Sequence, residues 1–323
     1  MNNVNKKLKI AVLAGGPSFE HEVSLSTAQG VMKNLNPLKY QAQLIVIDKK
    51  GKWSINPFEI KEKFDLCFIA MHGEYGEDGT VQGLLEAYQI PYTCSGILAS
   101  ALGMDKWQAQ KIFSFEGFNV PLTFLINKNT SRKEIMRFIQ KLKFPLVVKP
   151  RHVGSSVGVS IVKNIKEIDS ALKKAFQCDD DVLLQKYIKG REVTCGVLDR
   201  GDLESAWPLL PTEIIPQKEQ FFNYKAKYTK GATLEITPPK LPDRIIKEIQ
   251  KEALKAHRVI GCSGMSRTDF IFDGKKLWIL EINTIPGLTP TSLIPQEAQA
   301  LGIDYSKLLD IIIEAAKRRF NLK

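Results

Sequence analysis

Residues 264–283 read GMSRTDFIFDGKKLWILEIN, and the fold turns on them. Apolar and polar positions alternate as they do in strands, and Asp273-Gly274 supplies a bend, so Met265 to Asn283 is expected to form a β-hairpin. A turn of about three residues sets Asp269 nearly opposite Glu281 across the ladder. Glu281 and Asn283 lie two positions apart and share one strand face. Three oxygen-bearing side chains then converge on one spot, which suits a hard cation such as Mg²⁺. Solvated charges on an exposed strand face are the plain alternative. Arg267 shares the face of Asp269, either as the ion-pair partner of the carboxylates or as a donor to an oxyanion or acyl-phosphate.

Outside this hairpin, composition narrows the class. A chain of 323 residues is too long for one ordinary core, so two or three domains are expected. With 44% hydrophobic and 25% charged residues it reads as a soluble globular protein. No apolar run reaches the ~20 residues needed to span a bilayer. Lys6, Lys7 and Lys9 flank IAVLA, which is too short for a signal-peptide core and runs into Gly15-Gly16. A cytoplasmic protein with no membrane partner is expected. The five cysteines are widely spaced, with no CxxC, so reduced thiols are favoured over disulfides or zinc. The net charge of +11 is spread along the chain, and stretches such as KLPDRIIKEIQKEALKAHR interleave Lys with Glu as on a solvated helix face. No basic block carries interleaved aromatics, so no nucleic-acid partner is expected.

The first part of the chain alternates strand and helix signals: LKIAVLAG, a helix from Glu20 to Leu35, QAQLIVID, FDLCFIAM, and a helix in DGTVQGLLEAYQ. That pattern means βαβ units and a parallel sheet. The loop after the first strand, GGPSFEHEVS, is not GxGxxG, which counts against dinucleotide binding. One or two helices follow over Ser95 to Gly117. Next come strand LTFLI, helix SRKEIMRFIQKL, strand FPLVVK, a Gly/Ser loop, strand VGVSIV, helix IKEIDSALKKAF and strand DVLLQKYI. Further strands are expected near Glu192–Leu198 and Leu203–Trp207, then a long irregular stretch from Pro211 to Pro239 that carries Phe221, Phe222, Tyr224 and Tyr228. A helix over Pro242–Ile260, the hairpin, and a helix over Ser306–Phe320 close the chain. The fold class is therefore mixed α/β and α+β.

Several other segments carry chemistry. KPRHVGSSVG, residues 149–158, joins two strands; its backbone N–H groups and hydroxyls can hold phosphate oxygens, with Lys149 as a point charge, though a flexible turn would look the same. Gln185-Lys186-Tyr187-Ile188 ends a strand between folded units, where free backbone groups could read an adenine edge and Glu192 could accept from ribose hydroxyls; a plain linker explains it equally well. Glu20 opens the first helix, as a helix N-terminal charge or as a receptor for a substrate ammonium. His72 follows the third strand, where ligands of open α/β sheets collect. Gly287 lets backbone approach a ligand, and Ser292 with Leu293 could offer a hydroxyl and an N–H to a carboxylate.

Taken together, LAGGPSFEHEVSLSTA, MHGEYGEDGTVQGLLE, GILASALGMDK, VVKPRHVGSSVGV, FFNYKAKY, SRTDF and LEINTIPGLTPTSLIP resemble the ATP-grasp superfamily, and within it the D-alanine–D-alanine ligases. The resemblance spans nearly the whole chain. It implies a three-domain ATP-grasp fold: an N-terminal α/β substrate domain (1–96), a central lobe with the Gly/Ser loop (97–187), and a C-terminal lobe with the metal site and long loop (188–323). It implies ATP between the last two. Lys106 and Lys149 resemble the phosphate-binding lysines, joined by Ser156; Gln185, Lys186, Tyr187 and Ile188 match the adenine segment, and Glu192 the ribose contact. Asp269, Glu281 and Asn283 match the ligands of two Mg²⁺ or Mn²⁺ ions. Glu20 resembles the holder of the first D-alanine's ammonium, with Val23 and His72 nearby and Ser155 and Tyr228 as its hydrogen-bonded partners in a lid. Ser292, Leu293 and Lys227 would hold the second carboxylate or the neighbouring phosphate.

The activity implied is two-step ligation of D-alanine through a D-alanyl phosphate, for peptidoglycan precursors and hence cell-wall biogenesis and cell shape. A homodimer is expected, and a monovalent cation is a further candidate cofactor. Arg267 and the Gly287 backbone would serve the oxyanion. Two features depart from the family pattern: relatives usually carry Glu where this chain has Gln185, and His152 and Val153 occupy positions more often polar or acidic. In the family, tyrosine at the position of Tyr228 accompanies the dipeptide and phenylalanine the D-lactate depsipeptide. The rival readings are an ATP-grasp ligase with D-lactate, D-serine or another amine as acceptor, a non-catalytic nucleotide-binding regulator, and a basic nucleic-acid binder.

Overall fold

The unbroken apolar run Ile10–Ala14 needs cover on both faces, and every residue in it is fully buried. It forms the core of β1 (Leu8–Gly15) in a computed structural model that describes residues 7–216 and 233–322. β1 is the middle strand of a parallel sheet, between β2 (Tyr40–Ile47) and β3 (Leu66–Ile69). Around this sheet lie α1 (His21–Asn34), α2 (Pro57–Lys63) and α3 (Thr80–Ala87). Gly15 has φ +89°, and a Cβ there would fall 2.2 Å from the Ile47 carbonyl oxygen. Only glycine lets the chain turn off the strand end at this point and deliver Glu20 to the start of α1. The short α2 was not expected from the sequence. Asn56 caps it, accepting from the Phe58 N–H at 3.1 Å, and Pro57 takes the first helical position.

Helices α4 (Ile97–Met104) and α5 (Lys106–Phe115) come next. A four-stranded antiparallel sheet then runs in the order β4 (Thr123–Asn127), β7 (Asp181–Lys186), β5 (Leu146–Pro150), β6 (Ser160–Val162). One face buries Ile126, Leu146, Val148, Val182 and Leu184 against α6 (Arg132–Leu142) and α7 (Ile168–Phe176). β7 ends at Lys186, so Tyr187 and Ile188, expected within the strand, belong to the connection that follows.

The last sheet runs β11 (Thr233–Ile236), β10 (Thr212–Pro216), β8 (Arg191–Leu198), β12 (Met265–Phe272), β13 (Leu277–Asn283), with β9 (Trp207–Pro208) also paired to β8. Helices α8 (Asp243–Ile260), α9 (Leu293–Ala300) and α10 (Tyr305–Arg319) complete the fold. Residues of α9 and α10 share a core with the N-terminal sheet, including Ile294, Leu308 and Ile312. Among the described residues no helix is long and apolar enough to cross a membrane.

Three expectations are corrected. The stretch Pro211 to Pro239 is not irregular throughout: β10 and β11 pair antiparallel, with Pro216 opposite Thr233. β11 is an edge strand, where short length and flanking prolines are tolerated. A strand over Leu203–Trp207 is reduced to Trp207–Pro208. Residues 201–205 instead form a turn in which Asp202 accepts from the Ser205 N–H at 2.7 Å. Third, α4 and α5, grouped by sequence with the central lobe, bury Ala99, Ala109 and Phe113 in the core of the C-terminal sheet beside Val193, Ile249 and Ile282. Their apolar faces complement that sheet, and sequence adjacency to β4 does not decide the packing.

Candidate active site

The hairpin fixes the centre of the site. β12 and β13 pair with Arg267 opposite Asn283 and Asp269 opposite Glu281, joined by a four-residue turn, Asp273 to Lys276. The register shifts beyond Asp269, where Phe270 faces Ile279 and leaves Leu280 as the extra residue of a β-bulge. The bulge resolves a conflict of parity. Ile279 and Ile282 are three positions apart, yet both are buried in the same core, which a regular strand could not achieve. Glu281 and Asn283 are left together on the opposite face, beside Asp269.

Asp269 is the anchor. Arg267 donates to both its oxygens at 2.9 Å, Thr194 of β8 donates to Oδ1 at 2.6 Å, and Asn283 Nδ2 lies 3.4 Å from Oδ2. Burial works against the Arg267 charge, but the adjoining Asp269 carboxylate more than compensates and raises its pKa. Among the described residues no cluster of three or more His, Cys, Asp or Glu could hold a metal. The set here is two carboxylates and an amide, with Asp269 and Glu281 directly paired across the ladder. All are hard oxygen donors, and they fit Mg²⁺ better than a transition metal.

Two lysines face this acidic strand. Lys106 opens α5, where Asp105 caps the helix, and its ammonium lies 4.0 Å from Glu281 and donates to the Val153 carbonyl at 2.9 Å. Lys149 is the penultimate residue of β5, with only 7% of its surface exposed. Burial pushes its pKa down to about 8, the Lys106 charge adds to the fall, and Glu281 opposes it. A buried lysine with so depressed a pKa is poised for an anion.

The Gly/Ser loop reaches across to the N-terminal unit. Ser155 and Ser156 both adopt positive φ, at 50° and 57°, an uncommon conformation for non-glycine residues. Ser155 Oγ donates to Glu20 Oε1. Glycines enclose that carboxylate: a Cβ on Gly73 or Gly154 would come within 3.0 or 2.9 Å of Glu20 Oε2. A cavity of about 470 Å³ opens beside it, lined by Ser18, Glu20, Gly73, His152, Val153 and Gly154 among others. A smaller one is shared by Lys106, Gly154, Glu281 and Asn283.

His72 is buried below Glu20. It meets Thr27 at 2.9 Å through Nε2 and Glu77 at 3.0 Å through Nδ1. Burial alone would lower its pKa, but the hydrogen bond and charge of Glu77, with Glu20 beyond, raise it above the ordinary imidazole value. Val23 lies on α1 one turn from Glu20. Gly287 and Ser292 are adjacent, since a Cβ on Gly287 would sit 3.0 Å from Ser292 Oγ. Ser292 Oγ accepts from the Thr289 N–H at 3.0 Å, and Leu293 begins α9. Gln185 is buried on β7 and Glu192 lies on β8, on either side of the connection containing Lys186, Tyr187 and Ile188. Lys227 and Tyr228 fall outside the described residues.

Sequence reasoning missed two inward-turned acids, one half-buried and one buried. Glu77 is the partner of His72, and its own motif, GEYGED, gave no cue to which acid turns inward. Glu297 of α9 is completely buried beneath Arg267. Its Oε2 accepts from the Gly196 N–H at 2.6 Å, in the gap where β8 pairs with neither β9 nor β10. Burial pushes its carboxyl up to about 8, against the Gly196 hydrogen bond.

Comparison with known proteins places the chain in a family. Family models described as the D-ala D-ala ligase C-terminus and N-terminus match residues 114–314 and residues 9–62 with 54–95. A D-alanine–D-alanine ligase of Syntrophobacter fumaroxidans is 42% identical over 96% of this chain and 98% of its own length. A crystal structure of the Bacillus anthracis D-alanine–D-alanine ligase complexed with ATP superposes with a TM-score of 0.82 at 37% identity, covering 98% of this chain and 99% of that one. The VanG D-Ala:D-Ser ligase of Enterococcus faecalis gives a TM-score of 0.83 at 32% identity, covering 96% of this chain and all of its own. With both halves matched and the relatives covered end to end, this chain belongs to the D-alanine–D-alanine ligase family.

Proposed function

We propose that this protein joins two molecules of D-alanine at the expense of ATP, through a D-alanyl phosphate, in the cytoplasm and for peptidoglycan precursors. One continuous chain of contacts carries the reading: Glu20 to Ser155, the Gly/Ser loop to Lys106 through Val153, and Lys106 to Glu281. It joins an ammonium receptor, an anion receptor and an acidic metal strand around one space. Full-length relatives named D-alanine–D-alanine ligase at 41–42% identity support D-alanine as acceptor.

Glu20 holds the ammonium of the first D-alanine, and Ser155 and Tyr228 complete its cradle. Val23 and His72 pack behind it. The lid formed by the Gly/Ser loop excludes water from the acyl-phosphate. Lys106 and Lys149, with Ser156 and Lys227, bind the phosphates; Lys186, Tyr187, Ile188 and Gln185 receive the base, and Glu192 the ribose. Asp269, Glu281 and Asn283 would hold two Mg²⁺ or Mn²⁺ ions, which offset phosphate charge when bound. The first carboxylate takes the γ-phosphoryl group and ADP forms. The amine of the second D-alanine, its carboxylate held by Ser292 and the Leu293 N–H, attacks the activated carbonyl. Arg267 spends Nε and Nη2 on Asp269, so Nη1 and the Gly287 N–H serve the oxyanion. Phosphate leaves with one oxygen of the first carboxylate.

A homodimer and a monovalent-cation requirement are further parts of the proposal, checked by light scattering and by replacing K⁺ with a bulky organic cation. The reading itself is tested by coupled ADP release with and without D-alanine and Mg²⁺. Release that needs both supports it, and release indifferent to D-alanine contradicts it.

A further inference from the structure

Gly196 leaves a space in the last sheet that Glu297 occupies. On β8, Gly196 stands opposite Arg267 of β12. Cross-strand neighbours project to the same face, so a side chain at 196 would stand beside Arg267 on the face that carries Asp269. Glycine has none, and α9 takes the room: a Cβ there would meet Ile294 Cδ1 at 2.4 Å and Glu297 Oε2 at 2.7 Å. The Gly196 carbonyl accepts from the Leu209 N–H at 2.8 Å. Its N–H points to the same edge of the strand, in the gap between the pairings with β9 and β10. Glu297 Oε2 is its partner there, at 2.6 Å, and the whole Glu297 side chain is buried.

This tie works without charge. Burial pushes the Glu297 carboxyl up to about 8, so at neutral pH it is chiefly the uncharged acid. It accepts from Gly196 without drawing the Arg267 guanidinium from Asp269, which takes Nε and Nη2. On α9, Leu293 and Glu297 are four positions apart and share the buried face of the helix. About 6 Å of helix rise separates them. Ser292 precedes the helix, so the Leu293 N–H is among the first-turn donors that no intrahelical carbonyl accepts. Gln296 ties the same helix to β11, donating to Glu235 at 2.7 Å and to the Thr291 carbonyl at 2.8 Å. Loss of the Glu297 contact would therefore leave α9 attached but free to shift against β8.

We propose that Glu297 is a positioning residue for the acceptor: its hydrogen bond to the Gly196 N–H sets where α9 presents Ser292 and Leu293 relative to Arg267, and so aligns the second amine with the activated carbonyl. This rests on the ligase reading and on Ser292 and Leu293 as the seat of the second carboxylate. Glu297 touches neither substrate and acts only through α9.

ADP and dipeptide measured in the same reaction test it on the whole chain, with ADP binding followed by calorimetry. Wild type should form one dipeptide per ADP. Glu297→Leu should raise the D-alanine KM for dipeptide formation at least tenfold and release at least two ADP per dipeptide, with ADP affinity within about threefold of wild type. The D-alanyl phosphate still forms, but without an aligned amine it is hydrolysed by water to D-alanine and phosphate. Glu297→Gln keeps a neutral acceptor for Gly196 and should restore both the KM and the one-to-one ratio. If Glu297→Leu does not fold, Glu297→Asp, which shortens the reach by one methylene, should show the same excess of ADP. A folded Leu or Asp variant with wild-type KM and stoichiometry, a Gln variant as impaired as the Leu variant, or a loss of ADP and dipeptide in strict proportion would each overturn the proposal. A wild-type protein that forms no dipeptide would count instead against the ligase reading.

Discussion

Replacing Lys149 with methionine should stabilise the empty protein and destroy its use of nucleotide. Lys149 lies on β5 with its ammonium buried, and its pKa is pushed down to about 8 from the 10.5 of a solvated lysine. That difference corresponds to roughly 3 kcal/mol of folding free energy spent on keeping the group charged. Between pH 8 and 10.5 the unfolded chain holds a proton that the folded one lacks, so this group's contribution to stability rises with pH across that window. Below pH 8 the full cost applies. Methionine has a similar length and no charge, so Lys149→Met should be more stable than wild type at pH 7 by ~1–3 kcal/mol. The gap should close as pH approaches 10.5. Urea denaturation of both proteins across this range reads the difference directly, and calorimetry should show nucleotide affinity reduced by roughly tenfold or more. A less stable variant at pH 7, or a stability difference that ignores pH, would refute the claim that function maintains this buried charge.

Three other substitutions probe separate parts of the site. Glu281→Gln should lower ADP release by well over tenfold while leaving the circular dichroism spectrum unchanged; a rate within about tenfold, ~1.4 kcal/mol of barrier, would remove Glu281 from the metal set. Tyr228→Phe should shift product toward the depsipeptide when D-lactate competes with D-alanine, and an unchanged ratio by mass spectrometry removes that residue from acceptor choice. Gly196→Ala would put a Cβ 2.4 Å from Ile294 Cδ1 and 2.7 Å from Glu297 Oε2. Both neighbours are fully buried, so a loss of ~2–3 kcal/mol is expected, and an unshifted denaturation midpoint would contradict the packing described.

What the sequence disclosed and what it withheld follow from the range of the interactions. The hairpin was legible because alternation and Asp273-Gly274 are local signals, but the pairing of Asp269 with Glu281 also needs the bulge, since the four-residue turn alone would set Asp269 opposite Leu280. The bulge at Leu280 was not, because residues 277–280 are all apolar and only the core reveals which of them turn inward. β10 and β11 were hidden by the prolines at their margins, since edge pairing depends on a partner 17 to 23 residues away. The same holds for α4 and α5, whose amphipathic faces say that they pack but not upon which sheet. The contact of Glu20 with Ser155 spans 135 positions. Nothing local predicts it, and it was anticipated only through resemblance to the family. Glu77 and Glu297 were invisible for the opposite reason: an acid inside a polar stretch looks solvated until burial is known.

The fate of one oxygen atom tests the proposed chemistry most directly. D-alanine labelled with ¹⁸O in its carboxylate should yield inorganic phosphate carrying a single ¹⁸O for each dipeptide formed, because the carboxylate oxygen that attacks the γ-phosphoryl group departs with it. Phosphate free of label, released alongside D-alanyl-D-alanine, would mean that no acyl-phosphate forms between Glu20 and the Asp269–Glu281 strand.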